Sequence, residues 1–497
     1  MATSNDLSLR KRFESFGTQV RTLIQRITQP QPRLSLDSLP IEIVTQIFMA
    51  CVPSEVDKRR NKEVLRLCQV CPLWRRTAIE TTELWSSLSI SIVHSRLFGD
   101  SAFAESFWGY IGIWLERSGG RDLSLSIEDI DVAPNVYASH CSVCAKSIEV
   151  IFLRYGARIR YLNGLTPHLL EVLSRQRLPC LQSLVILIES ESSATFFQFR
   201  LPTLAPNLRR LKVDSCSKVW EINPKHVEMI PYFNQLTHVV MVGGGNEMKI
   251  LSACPNLKSV VFYYQEDAGI SEFGYGLVVP NLSTLTIVLA SHPSLELYLD
   301  WINIVTMPAL QTLRVGSFHV NDFTLFSDPE AEVSRNIAGI KRLSLFFDFF
   351  TKTSDLERLL ANFLDLEELD IQDCLDYEDF FYRLSFHRDR HPNDHRPVLP
   401  RLRLLTLDIR QMGTFALDDY HFVEFIKTRL VLEPSFRVLV YVSGRAREVY
   451  WPMVTRAKAA NLPIDIIVWE EEFGSRGDRW KYRMETEVDK WITEGPN

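Results

Sequence analysis

The 497-residue sequence contains no apolar run approaching the roughly 20 residues that a bilayer-spanning helix requires. Its start, MATSNDLSLRKRF, lacks the apolar core of an export signal. A cytoplasmic and/or nuclear chain without a membrane partner is therefore expected. Positive charge is not in excess: the net charge is −6 and the isoelectric point about 6.1, so there is no overall basic field to draw in nucleic acid. Cysteines are few and odd in number, nine in the whole chain, which suits reduced thiols rather than a disulfide framework. Signatures of catalysis are missing as well. There is no Gly-x-Ser-x-Gly elbow, no His-Glu-x-x-His and no dinucleotide fingerprint. Gly243-Gly244-Gly245 precedes Lys249 without the Gly-Lys-Ser/Thr ending of a phosphate loop, and a turn after a strand accounts for it. No enzymatic activity, cofactor or metal is expected.

Two groups of potential metal ligands do not change this. Cys68-x-x-Cys71 and His140-Cys141-x-x-Cys144 lie about 70 residues apart with no ribbon-like turn around either, and Cys71 falls on an apolar helix stripe. His387, His391 and His395 have helical spacing, but Pro392 and Asn393 break a helix there, so a solvated insertion that lengthens one repeat is the better reading, and such an insertion could touch a partner. Arg476-Gly477-Asp478 is taken as chance in a chain without an export signal.

The informative part of the chain begins at residues 34–90. Leu39-Pro40 interrupts whatever precedes it, and Ile41 to Phe48 read as a short helix with Asp37 or Ser38 as caps and Glu42 at its positive end. Ile43 and Ile47, with Val44 and Phe48 one step aside, give it an apolar face. A second helix is expected across VLRLCQVCPLWRRTAIETTELW, with Leu67, Val70, Cys71, Trp74 and Ala78 on one stripe. Between the two, residues 53–63 are polar and are expected to loop out. Ahead of them, residues 1–33 carry an amphipathic helix, read as packed on its own domain or frayed at the terminus, or, more sharply, as a short dimerising or membrane-surface element.

The pattern LP-x-E-I-x3-IF followed by VC-x2-W resembles the F-box, a three-helix module, and Trp85-Ser-Ser-Leu88 is similar to the segment just after it in fungal members of that family. The resemblance implies docking to the Skp linker subunit of a cullin-RING ubiquitin ligase. Leu39, Pro40, Ile43, Ile47, Phe48, Val70 and Trp74 would form or support the docking surface.

Beyond a strand at LWSSLSISIV, a helix over 107–117 ending at Gly119-Gly120 and a strand at 123–127, one unit recurs: L-x-x-L-x-[LIV]. It appears as Leu181/Leu184/Ile186, Leu208/Leu211/Val213, Leu236/Val239/Met241, Leu257/Val260/Phe262 and Leu282/Leu285/Ile287. It continues as Leu310/Leu313/Val315, Ile340/Leu343/Leu345, Leu366/Leu369/Ile371 and Leu402/Leu405/Leu407, at spacings of roughly 21 to 36 residues. Pro-Asn often stands just ahead, as at Pro206-Asn207, Pro255-Asn256 and Pro280-Asn281. Such a strand cannot bury its apolar side alone, so neighbouring units must stack in parallel to share a core. Cys216 and Cys374 follow their strands where the repeat pattern turns under, which predicts a structural role.

Helices are expected between strands at 167–175, 246–253, 294–305, 354–363, 377–386, 418–429 and 451–460. The expected fold class is α/β, a helical F-box followed by a leucine-rich-repeat solenoid with parallel strands on the concave side and helices on the convex side. Its divisions are 1–33, an N-terminal helix and linker; 34–92, the F-box; 93–470, the solenoid; and 471–497, a charged tail or cap containing Trp480 and Trp491. A final strand pair, 438–442 and 464–468, would help close the open end. The function expected from the resemblance is a substrate-recognition adaptor. Its partners would be the Skp linker, cullin through it, and a protein substrate held by side chains between the core leucines: Lys212, Asp214, His238, Thr286, Arg314 and Asp370. A structural scaffold acting outside a ligase is the alternative, favoured by the polar segment at 53–63.

Overall fold

The computed structural model describes residues 39–53, 56–93, 97, 100–129, 142–165, 172, 176–188, 204–215, 233–242, 247–264, 276–289, 305–317, 339–347, 357, 360–372, 380, 381, 384, 398–408, 419–443, 455, 456 and 459–469. Residues 1–33, the His387–His395 loop, Cys216, Cys374, Trp480 and Trp491 lie outside them.

The described chain opens with three helices, α1 (Ile41–Cys51), α2 (Lys58–Val70) and α3 (Pro72–Glu80), and a 3-10 turn at Thr82–Trp85. The single helix expected across residues 64–85 is broken. Pro72 has no N–H to donate, and Cys71 is extended and caps α3 with its Sγ, which accepts from the Trp74 N–H at 3.4 Å. Nor do all of residues 53–63 loop out. The Asp57 side chain accepts from the Arg60 N–H at 2.8 Å and starts α2 at Lys58. Buried Arg60 donates to the Pro53 carbonyl, and Lys58 pairs with Glu128 at 2.6 Å. The polar residues that looked like an insertion therefore fasten the helices to the sheet.

The described strands all join one 14-stranded parallel sheet in unbroken chain order. They are β1 (Ser87–Ile92), β2 (Leu123–Asp129), β3 (Ile159–Leu165), β4 (Ser183–Ile188), β5 (Arg210–Ser215), β6 (His238–Val242) and β7 (Ser259–Tyr264). They continue as β8 (Thr284–Leu289), β9 (Thr312–Ser317), β10 (Arg342–Phe347), β11 (Glu368–Gln372), β12 (Leu404–Asp408), β13 (Arg437–Ser443) and β14 (Ile464–Trp469). Helices α4 (Ser101–Arg117), α5 (Ser142–Tyr155), α6 (Glu247–Ala253) and α7 (Asp419–Leu432) lie between strands. The expected parallel stacking is thus observed, and the architecture is solenoid-like. It is more extensive than the recurring motif indicated, because β1, β2 and the unanticipated β3 belong to it, and β13 and β14 prolong it. Helix α5 and strand β3 escape sequence reading because neither carries the leucine motif. The edge of β1 is not left open: the Asn61 side-chain amide accepts from the Ser89 N–H at 3.2 Å and donates to the Ser89 carbonyl at 2.6 Å.

The repeat leucines register strand by strand, for example Leu184 with Leu211, Leu285 with Leu313 and Leu369 with Leu405. Together with Trp114, Phe152, Leu251, Phe422 and Phe425 of the helices, and with Val44 and Phe48 of α1, they form one continuous core. Several units enter their strands through a turn closed by a backbone bond three residues back, as in Leu208 to Ala205 and Leu257 to Cys254. The residue at that third position back is itself buried, which gives Cys254 a packing role; burial drives its thiol up to about 12. The Pro-Asn dipeptides now have a reason. Asn207, Asn256 and Asn281 donate from their side-chain amides to the carbonyls of Pro179, Asn234 and Pro255 in the preceding unit, at 2.7, 2.7 and 3.2 Å. Further along, Arg401 reaches Asp365 at 2.6 Å from the same position. Near the last strands, buried Arg429 donates to the Leu399 and Leu384 carbonyls at 2.8 and 3.0 Å and lies 5.3 Å from the Phe425 ring centre. Burial lowers its pKa to about 10, so it stays charged at neutral pH.

Candidate functional site: an outward apolar helix face and the open face of the sheet

Helix α1 has two apolar sides with different fates. Val44 and Phe48, one turn apart, face the core, where the Phe48 ring meets Trp74 of α3 with centroids 4.8 Å apart. Trp74 itself is half-buried. Ile43, Ile47 and Ala50 follow the i, i+4, i+7 spacing on the other side, where Ile43 is 41% exposed and Ile47 half-buried. Pro40 is exposed at the start of the helix, and Leu39 packs partly against the core. Val70 ends α2 with 60% exposure, off the buried stripe that sequence spacing assigned to it, because α2 stops there and only Val64 and Leu67 of its apolar residues are fully buried. Of the seven residues, then, Pro40, Ile43 and Val70 are outward, Ile47, Leu39 and Trp74 are at the boundary, and Phe48 supports from within.

Helical periodicity carries no hint of the brace that holds this face in place. Trp85 and Trp114 are fully buried, with ring centres 4.7 Å apart edge to face. Trp85 Nε1 donates to the Ala78 carbonyl of α3 at 2.7 Å, Trp114 Nε1 donates to the Ser87 carbonyl of β1 at 3.1 Å, and the Arg117 guanidinium lies 4.6 Å from the centre of the Trp85 ring. The signal available in sequence is the placement of two tryptophans on either side of a strand.

On the sheet, alternate residues point away from the leucine core. Lys212, Thr286, Arg314 and Asp370 fall in one cross-strand row, running Lys212, Val240, Val261, Thr286, Arg314, Ser344, Asp370. His238 belongs to a parallel row beside Arg210 and Ser259, and Asp214 to a third, opposite Leu187. Lys212, Arg314 and Asp370 are half-buried, while Thr286 is 2% and His238 8% exposed. Val185, Val240, Val261, Tyr263 and Val288 make a second apolar cluster on this face, which the leucine motif does not reveal. Its signal is nonetheless present: HVVMV and SVVFYY carry apolar residues at both alternations.

His238 illustrates the electrostatics. Burial first, and then the charges of Arg210 and Lys258, lower its pKa from 6.5 to about 4. The unfolded chain therefore binds a proton between those values that the folded one refuses. The stability this confers is complete above about pH 6.5 and is lost as pH falls towards 4. We expect a stability loss on the order of 2 kcal/mol on going from pH 7.5 to 5 that is reduced in His238→Gln. Equal pH dependence of the two unfolding midpoints would contradict it.

Among the described residues, no group of three or more His, Cys, Asp or Glu is placed to hold a metal ion, and no helix is long and apolar enough to cross a membrane. No curated protein matches the chain. Residues 36–91 match the F-box-like family model, so the helices that carry the outward face form an F-box-like region, a type of module with a protein-interaction, adaptor role.

Proposed function

We propose that this chain is the substrate-recognition adaptor of an SCF-type cullin-RING ubiquitin ligase. The observation that carries the reading is the outward apolar side of α1 within the F-box-like region: Pro40 and Ile43 are turned to solvent although the helix has a complete inner face of its own. Pro40, Ile43, Ile47 and Val70 contact the Skp linker subunit, and Leu39, Phe48 and Trp74 hold them from behind. The sheet is of the leucine-rich-repeat class, with strands on the concave side and helices on the convex side, and its open face grips the protein substrate. Lys212, Arg314 and Asp370 are the accessible part of that grip, Asp214 adjoins it, and His238 and Thr286 shape it from below. The division falls into a linker-binding part at 34–92 and a substrate-binding part at 93–470, flanked by 1–33 and 471–497. Chemistry belongs to the partners, and this chain raises the effective concentration of a substrate lysine beside the charged conjugating enzyme.

Co-purification with the Skp linker tests the proposal. Ile43→Asp with Ile47→Asp should weaken binding at least about 100-fold, the scale of two buried anchors, while lowering the unfolding midpoint only modestly, because Ile43 is exposed and Ile47 half-buried at the boundary. A wild-type chain that fails to bind, or a double variant that binds as well, ends it. Recruitment of cullin by the purified pair distinguishes a ligase adaptor from a scaffold that stops at the linker.

A further inference from the structure

The positions immediately before and at the start of each strand form a rim along the sheet. Backbone bonds tie the first of these positions from unit to unit, from Arg160 through Gln182, Arg209, Thr237, Lys258, Ser283 and Gln311 to Lys341, Glu367 and Arg403. Its charge is not evenly distributed. From β3 to β9 the rim pairs read Arg160-Tyr161, Gln182-Ser183, Arg209-Arg210, Thr237-His238, Lys258-Ser259, Ser283-Thr284 and Gln311-Thr312, without one acidic residue. From β10 onward the cations are neutralised: Glu367 lies 3.8 Å from Lys341 and 3.7 Å from Arg403, and Glu368 lies 3.2 Å from Arg342.

We infer that the strand-start rim over β3–β9 docks an extended, Asp- and Glu-rich segment of a protein partner. Arg209 and Lys258 are exposed and Arg210 half-buried, while Arg160, at the β3 end of the rim, is exposed but paired with Asp122 at 3.2 Å. Among the described residues no carboxylate pairs with Arg209 or Lys258; Arg209 donates to the Gln235 carbonyl, at 3.0 Å. Arg209 and Lys258 sit on alternate strands, roughly 10 Å apart given about 4.8 Å between neighbouring strands, with Arg210 next to Arg209 in the chain. A single phosphate needs donors converging on one point, whereas spaced cations along a line suit several carboxylates on an extended chain. The half-buried Gln182 and Thr237, just ahead of β4 and β6, add neutral hydrogen-bonding groups along the same rim. Burial first, and neighbouring cations second, lower the pKa values of His238 and Arg210, and the second contribution agrees with a local positive potential on a chain whose net charge is −6. This rests on reading the sheet as the substrate-gripping part, but binding is measured on the chain alone, so it stands or falls separately from linker docking.

The test is fluorescence anisotropy of the full chain with a labelled Asp/Glu-rich 12-residue peptide at low and at physiological salt. Arg209→Glu with Lys258→Glu should weaken binding about tenfold or more, with binding to the wild type falling as salt rises, whereas Arg59→Glu with Lys62→Glu on α2 should change nothing. Lys258→Glu alone should show the smaller share of the effect and keeps the test decisive if the double variant unfolds. Three results overturn the inference: a neutral peptide of equal length binding as tightly, the α2 reversals weakening binding equally, or a single-stranded RNA of equal charge binding more tightly than the acidic peptide.

Discussion

Gly164→Ala should be among the most disruptive single-methyl changes available in this chain. Gly164 lies in β3 with φ +83°, in the left-handed half of backbone space that a side chain disfavours by about 1–2 kcal/mol. An added Cβ would also fall 1.9 Å from the Ile127 carbonyl oxygen of β2, a backbone atom that cannot swing aside. The strand is irregular there: Leu162 pairs with Leu184 but Leu165 with Ile186, so the backbone crosses a register shift at this glycine. Relief requires β3 to move away from β2, and we expect a loss of more than about 3 kcal/mol. Because each unit of a solenoid leans on its neighbours, the damage should be local. Hydrogen exchange should quicken in β2–β4 while β10–β14 keep their protection. Gly109→Ala, on α4 with open space around its added methyl, is the control and should be neutral or stabilising by roughly 0.5–1 kcal/mol. Equal behaviour of the two alanine variants would refute the steric account.

Trp85→Ala should come close behind. The side chain is buried against Trp114, beneath the Arg117 guanidinium, and its indole N–H satisfies the Ala78 carbonyl. Truncation leaves a large cavity and an unsatisfied carbonyl in α3, which together cost about 3–5 kcal/mol. Position sets the functional consequence: Trp85 braces α3, and α3 carries Trp74, which in turn braces Phe48 of α1. The variant should lose linker binding indirectly, with faster exchange in α1–α3, whereas Ile43→Asp with Ile47→Asp should lose it directly with a much smaller change in exchange. Trp85→Phe should recover part of both stability and binding, since it refills much of the cavity without restoring the hydrogen bond. Undisturbed exchange in α3 after Trp85→Ala would show that the brace is not where the contacts put it.

Particular residues show how much is legible in sequence. Repetition is: Leu181, Leu208, Leu257 and Leu282 lead parallel strands in register, because a short strand with a single apolar side has few ways to be stable other than stacking. Helix α1 is also legible, although its cap is Pro40 with no side-chain bond rather than Asp37 or Ser38. Less legible is anything set by contact with a distant segment. Asn61 reads as one more polar residue in a loop, and it occupies the edge of β1 twenty-eight residues away. His238 reads as a solvent-facing residue between leucines, and it is neutral and buried beside Arg210 and Lys258. Val240 and Val261 stand outside the leucine motif and form part of a second apolar cluster.

The sequence by itself determined the two kinds of structure here, helices with an apolar side near the amino end and a run of leucine-led strands behind them, since both arise from periodicity visible in short windows of the chain. Only the tertiary structure decided where the helices stop, that the polar stretch at 58–63 is a fastening, that the sheet begins as early as Ser87, and which apolar residues of α1 face out. The physical reason is range. Periodicity and capping act over a few residues along the chain, but burial, pairing and charge depend on neighbours tens of residues away, and those are brought together only when the strands stack.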